Sequence, residues 1–209
     1  MRKIPFFVVE NFISPLSCEA ILNDLRVNRI RPNIGQDGYP KKMVLSNVLN
    51  SMRLANAFEP YIESLENHFE FEYKGIHDIS FEWFPEQCKA SPPKSDGVVK
   101  TREGEWKRYR EIDFTGLLWL NDLNEQSPFD PEFEVFGGKL EFPTFDISFN
   151  PSRGTLIVFP VASNFIYTVS NIKAGSLTQA KFVIRSEVPY TFDRTKFDCD
   201  IRSHFLNRS

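Results

Sequence analysis

The hydrophobic period of the chain changes at about Ile76, and this switch constrains the fold more than any other feature of the sequence. Before it, Leu16, Ala20, Ile21 and Leu25 recur at helical spacing behind Ser14-Pro15, an N-cap residue followed by proline at the first helical position. A strand over residues 4–9 precedes that helix, and residues 30–42, with Pro32, Gly35, Gly38 and Pro40, read as loop. A second helical stretch runs from Ser51 to about Phe69. Pro60 divides it, because proline has no N–H to give the helix ladder, and Ile62, Leu65 and Phe69 stripe the later half.

After the switch, Ile79, Phe81 and Trp83 alternate with Ser80, Glu82 and Phe84, a strand pattern. Ile112–Leu120 is apolar on both faces, as a central strand must be. Short strands follow over Lys139–Phe142, Phe145–Phe149, Thr155–Phe159, Phe165–Val169 and Gln179–Val188, separated by turn residues such as Gly137-Gly138 and Arg153-Gly154. Helices first and many short strands afterwards predict an α+β, mostly β domain, a sandwich or barrel backed by N-terminal helices. Phenylalanine fits that reading: 21 of 209 residues are Phe, a side chain suited to pleated, half-buried surfaces. With no repeat and no linker, residues 1–209 are expected to form one domain.

Charge narrows the function classes. A net charge of −3 supplies no basic field for nucleic acid or an anionic membrane, and no apolar run is long enough to span a bilayer. The apolar run Phe6–Val9 is too short for a signal peptide. Cys18, Cys88 and Cys199 are odd in number and lack a CxxC, so reduced thiols and a cytoplasmic location are expected. There is no Gly-x-Ser-x-Gly elbow, Walker loop or dinucleotide fingerprint. Two irregular stretches stand out. Residues 85–108 carry six basic and four acidic residues, a loop long enough to be functional. Residues 121–134 carry five acidic residues and no basic one, with Phe129 and Phe133 inside and Phe136 just beyond, a candidate surface for a protein partner.

Three blocks in order, Phe114-Thr-Gly-Leu-Leu-Trp-Leu-Asn-Asp122, Gly137-Gly-Lys-Leu-Glu-Phe-Pro143 and Asn150-Pro-Ser-Arg-Gly-Thr-Leu-Ile-Val-Phe-Pro160, together with the opening Phe6–Cys18, resemble the prolyl-4-hydroxylase-like branch of the 2-oxoglutarate and iron(II)-dependent oxygenases, particularly its small phage-type members. The resemblance implies a double-stranded β-helix, or jelly roll, and an iron(II) held by a His-x-Asp motif and a distal His, with positions left open for 2-oxoglutarate and O2. It also implies a late-strand cation for the far carboxylate of 2-oxoglutarate.

At the implied ligand positions the residues differ. The His-x-Asp stretch matches Pro93-Lys94-Ser95-Asp96-Gly97, so Asp96 is present but Lys94 stands in place of His. Matching the distal His on Ile172 and Gly175 gives Tyr167, and matching it on Pro160 gives Asn164. An ammonium has no lone pair for a metal, and Tyr or Asn oxygen is a poor substitute for imidazole on iron(II). His68, His77 and His204 lie outside any ligand motif. The resemblance therefore implies no metal site unless the ligands align differently.

In an extended segment Lys94 and Asp96 point the same way, either as an ion pair in the cation's place or as a solvated loop pair. On the last strand Gln179, Lys181, Val183 and Arg185 share a face. If it looks inward, Lys181 matches the 2-oxoglutarate carboxylate partner, with Arg185 as the alternative; if the strand is an edge, both are solvated. Three functions follow as expectations. One is a pseudoenzyme or binding module that accepts 2-oxoglutarate, another small dicarboxylate or anion, or a peptide segment in the barrel pocket. The second is an active hydroxylase with atypical iron ligands, and the third an assembly protein that uses the β-sandwich as scaffold.

Overall fold

The computed structural model describes residues 3–25, 31–90, 92–124 and 133–199. In chain order the elements are β1 (Phe7–Val9), α1 (Pro15–Leu25), β2 (Met43–Leu45), α2 (Val48–Phe58), α3 (Ile62–Phe69), β3 (Tyr73–Phe84), β4 (Val98–Lys100), β5 (Trp106–Arg108), β6 (Phe114–Trp119), β7 (Asp122–Asn124), β8 (Glu134–Gly137), β9 (Leu140–Phe142), β10 (Ile147–Phe149), β11 (Leu156–Pro160), β12 (Thr168–Val169), β13 (Ile172–Ala174) and β14 (Leu177–Ser186). Helix signals act where the sequence puts them. Ser14 Oγ accepts the Ser17 N–H at 3.1 Å to start α1, and Pro60 sits in a 3-10 turn, Glu59–Tyr61, between α2 and α3. Helix α2 begins earlier than its apolar spacing suggests, because Asn47 caps it by accepting the Asn50 N–H.

Six strands form an antiparallel sheet in the order β1-β11-β6-β14-β3-β2. Two three-stranded sheets, β10-β9-β12 and β13-β8-β7, face it. The large sheet is buried on both sides. Phe81, Phe114, Leu118, Val158, Phe182 and Ile184 pack against Ile21 and Leu22 of α1, Leu54 and Phe58 of α2, and Leu65 and Phe69 of α3. From its other face Phe84, Leu117, Trp119, Ile157, Phe159 and Leu177 meet Val135, Leu140, Phe142, Phe149 and Val169 of the small sheets. This is a jelly-roll core backed by helices, and the phenylalanines fill both halves of it. Gly154 (φ +83°) is where the chain entering α1 crosses the start of β11: a Cβ there would lie 2.3 Å from the Ile13 carbonyl oxygen.

Three readings of the sequence are corrected. The stretch 85–108 is not wholly irregular, since β4 and β5 pair as a hairpin within it. Residues 121–134 are not all turn, since β7 pairs in parallel with β8. All four strands are three or four residues long, too short for a period of two to declare itself. Finally, β14 is no edge strand; it lies between β6 and β3.

Candidate functional site

The site begins with pairing. Lys94 and Tyr167, 73 residues apart by their numbers, form an antiparallel bridge in which each backbone N–H donates to the other's carbonyl at 2.9 Å. That bridge fixes the 94–96 segment across the mouth of the jelly roll. Two residues on, Asp96 is turned inward and only 7% exposed. In the large sheet, register sets Lys181 of β14 opposite Ser80 of β3, and Gln179 opposite Glu82. Strand alternation then sends Gln179, Lys181 and Glu82 to the face away from the helices, where Thr115 of β6 joins them.

The outcome is a compact knot around two buried carboxylates. Asp96 Oδ1 accepts the Lys181 ammonium at 2.5 Å, and its Oδ2 accepts the hydroxyls of Tyr167 at 2.8 Å and Thr115 at 3.0 Å. Glu82 Oε1 accepts the Lys42 ammonium at 2.5 Å, and Oε2 accepts the Gln179 amide at 2.8 Å. Lys94 stands between them, its Nζ 3.6 Å from Asp96 Oδ1 and 3.8 Å from Glu82 Oε1.

Charge sets the protonation states. Burial pushes the Asp96 carboxyl up, but the charges of Lys181 and Lys94 and the hydrogen bonds from Lys181 and Tyr167 outweigh it and hold the group below its usual range. Glu82 is likewise buried and likewise held low, by Lys42, Lys94 and Lys181. Tyr167 is pushed well above the ordinary phenol value by burial and then by the neighbouring Asp96 charge, so it remains a neutral donor. At neutral pH both carboxylates are ionised.

Among the residues named from the sequence, Lys94, Asp96, Tyr167 and Lys181 converge here. Arg185 and Asn164 do not. Arg185 lines a separate depression of about 450 Å³ with His77, Asp78 and Arg110, and pairs with Glu111 at 3.9 Å. Asn164 lies half-buried just ahead of Phe165, three positions before the bridge. His68 spends its Nε2 on the Ile4 carbonyl, His77 is exposed, and His204 lies outside the described residues. The partner surface expected over 121–134 falls largely outside them too, Phe129 included. Phe133 folds back onto the helix-side core, and the Phe136 ring is covered by the Lys173 ammonium at 4.6 Å. An open groove of about 700 Å³, between the end of α3 and the Val188–Lys196 segment, holds none of these residues.

Lys42, Glu82, Thr115 and Gln179 were not singled out as site residues. Glu82 carried no local signal: it holds a polar position in the alternation with Phe81 and Trp83, where a solvent-facing acid is the ordinary expectation. Lys42 carried none, because its partner lies 40 positions away.

No protein-family model and no curated protein matches this sequence. Solved structures do match in shape. A viral collagen prolyl hydroxylase from Paramecium Bursaria Chlorella virus-1, in complex with 2-oxoglutarate, superposes with a TM-score of 0.63 at 15% identity, over 88% of this chain and 97% of that one. A Pseudomonas putida prolyl-4-hydroxylase gives 0.59 at 13% identity, over 88% and 94%. A Trichoplax adhaerens prolyl hydroxylase, bound to a peptide fragment of the hypoxia inducible factor oxygen degradation domain, gives 0.60 at 13% identity, over 88% and 84%. The chain has the fold of the 2-oxoglutarate and iron(II)-dependent oxygenases. Its likeness in shape is to the prolyl-hydroxylase form of that fold.

The fold class implies iron(II), and the residues present do not fit it. The one carboxylate at a ligand position has both oxygens occupied, by an ammonium and by two hydroxyls. A second ammonium, from Lys94, stands beside it and would repel a metal cation. Tyr167 offers a neutral phenol that already donates to Asp96, a poor substitute for imidazole on iron(II). Among the described residues, no group of three His, Cys, Asp or Glu side chains is placed to hold a metal ion. Lys181, the cation matched to 2-oxoglutarate, is engaged with Asp96.

Proposed function

We propose that this protein is a pseudoenzyme of the prolyl-hydroxylase-like oxygenase fold, a binding module whose centre is closed by ion pairs in place of a metal. The observation that carries the reading is the saturation of Asp96 by Lys181, Tyr167 and Thr115. Those three contacts tie the 94–96 segment to β14, to the approach of β12 and to β6. By the resemblance, a metal would tie the 94–96 segment to the Tyr167 position, and here the Tyr167 hydroxyl makes that link directly. Buried ion pairs of this kind add little net stability over apolar packing, but removing one partner is costly, so they fix an arrangement more than they strengthen it.

The test is anaerobic titration of the purified protein with iron(II) and 2-oxoglutarate, watched for the weak visible charge-transfer band of the chelate. The expected result is no band and no 2-oxoglutarate decarboxylation. A band at one-to-one stoichiometry would establish instead a working hydroxylase with atypical ligands.

A further inference from the structure

The centre holds more positive than negative charge. Three ammonium groups, from Lys42, Lys94 and Lys181, meet two carboxylates, Glu82 and Asp96. Two of the three are spoken for at hydrogen-bonding distance: Lys42 by Glu82 and Lys181 by Asp96, each at 2.5 Å. Lys94 approaches the same two oxygens from 3.6 and 3.8 Å, an ion pair with each but a looser one than either of the other ammonium groups makes. Its side chain is also the most open of the three, 35% exposed against 23% for Lys42 and 12% for Lys181.

We infer that Lys94 is the receptor for the carboxylate of a small organic acid, which enters at the mouth of the jelly roll and neutralises the spare charge. The inference rests on the metal-free reading of the centre, and it places the anion on Lys94, not on Lys181, which is spent on Asp96. Tyr167 frames the position, its ring centroid 5.5 Å from the Lys94 ammonium. Protonation is secure: burial works against the charged amine, but Glu82 and Asp96 outweigh it and raise the Lys94 pKa. Lys42 cannot take the role equally well, because its ammonium is bonded to Glu82 Oε1 and its side chain is less open. One excess charge is matched by one carboxylate, whereas the dianionic form of phosphate would reverse the sign of the cluster. The desolvated surroundings strengthen the single charge-assisted contact that results.

The experiment titrates acetate into the full-length protein in chloride-free buffer by calorimetry, with melting temperature followed in parallel and inorganic phosphate as comparator. Acetate is expected to bind once per chain and to raise the melting temperature. Lys94→Met should weaken binding by at least about tenfold and abolish the acetate-dependent rise. The Lys42–Glu82 and Lys181–Asp96 pairs remain balanced in that variant, and Lys94→Arg, which keeps the charge, should bind within a few-fold of the parent. Absence of binding to the parent, unchanged binding in Lys94→Met, or tighter Lys94-dependent binding of phosphate would each overturn the assignment. An iron(II) band in the separate titration would overturn the metal-free reading beneath it, so the two failures are distinguishable.

Discussion

Two buried aspartates organise the same end of the molecule by different means. Asp113, just ahead of β6, takes one cation, Arg108 at 2.7 Å, and two backbone N–H groups, Ser186 at 2.9 Å and Tyr190 at 2.8 Å. It stitches the end of β14 and the segment beyond it to the β4–β5 hairpin. Among the described residues Asp96 accepts side-chain hydrogen bonds alone, from Lys181, Tyr167 and Thr115, with Lys94 alongside. A carboxylate held by main-chain donors and one cation is a structural splice with its charge balanced. One held by side chains, in a cluster with a surplus cation, is the centre of the proposed binding module.

The largest effect that would break this contrast comes from removing the carboxylate at the centre. Asp96→Ala leaves Lys181 facing a largely buried site without its counter-charge, and breaking a buried pair from one side costs about 3–5 kcal/mol. Denaturant unfolding should show a loss of that order. If the loss is under about 1 kcal/mol, the size expected of an exposed pair, the knot is solvated and the contrast with Asp113 fails.

Asp113→Asn should cost less, about 2 kcal/mol, because Arg108 is one-third exposed and recovers water while one oxygen still accepts a backbone N–H. Its pH behaviour sharpens the comparison. Burial raises the Asp113 carboxyl, but Arg108 and the Ser186 and Tyr190 amides outweigh it, and the group titrates below its usual value, as Asp96 does. A depressed folded pKa means that the stabilisation is fully present above the unfolded value of about 3.9 and is lost as pH falls through the folded one. Stability measured from pH 7 downward should therefore hold to about pH 4 and then drop, with a shallower drop in Asp113→Asn.

Much of this was legible in the residues, for local reasons. Ser14-Pro15, Pro60 and the alternation around Phe81 act over a few positions, so helix starts, the helix break and the long strands could be read directly. Lys94, Asp96 and Tyr167 could be named because each sits in a short stretch that resembles a known pattern. What joins them could not. The Lys94–Tyr167 bridge and the Glu82–Gln179 pairing are set by register between segments far apart in sequence, and a strand's register follows from the whole sheet. The same non-locality hid Lys42, whereas the hairpin β4–β5 and the parallel pair β7–β8 were hidden by the shortness of their strands.

The smallest effect isolates one hydrogen bond. Tyr167→Phe removes the hydroxyl that donates to Asp96 Oδ2 and keeps the ring, which packs edge-on against Phe159 at 5.3 Å and lies 6.2 Å from Phe142. Thr115 still serves the same oxygen and Lys181 the other, so Asp96 stays ionised and paired. The cost should be about 1–2 kcal/mol, the range of a single hydrogen bond to a charged group. Thr115→Val removes the companion donor, and a double-mutant cycle between the two reads their coupling. Because both hydroxyls feed one oxygen, the double variant should lose more than the sum of the singles, the second deletion stripping Asp96 Oδ2 of its last donor. Simple additivity would mean that Tyr167 and Thr115 act independently, and that Asp96, like Asp113, is an ordinary splice.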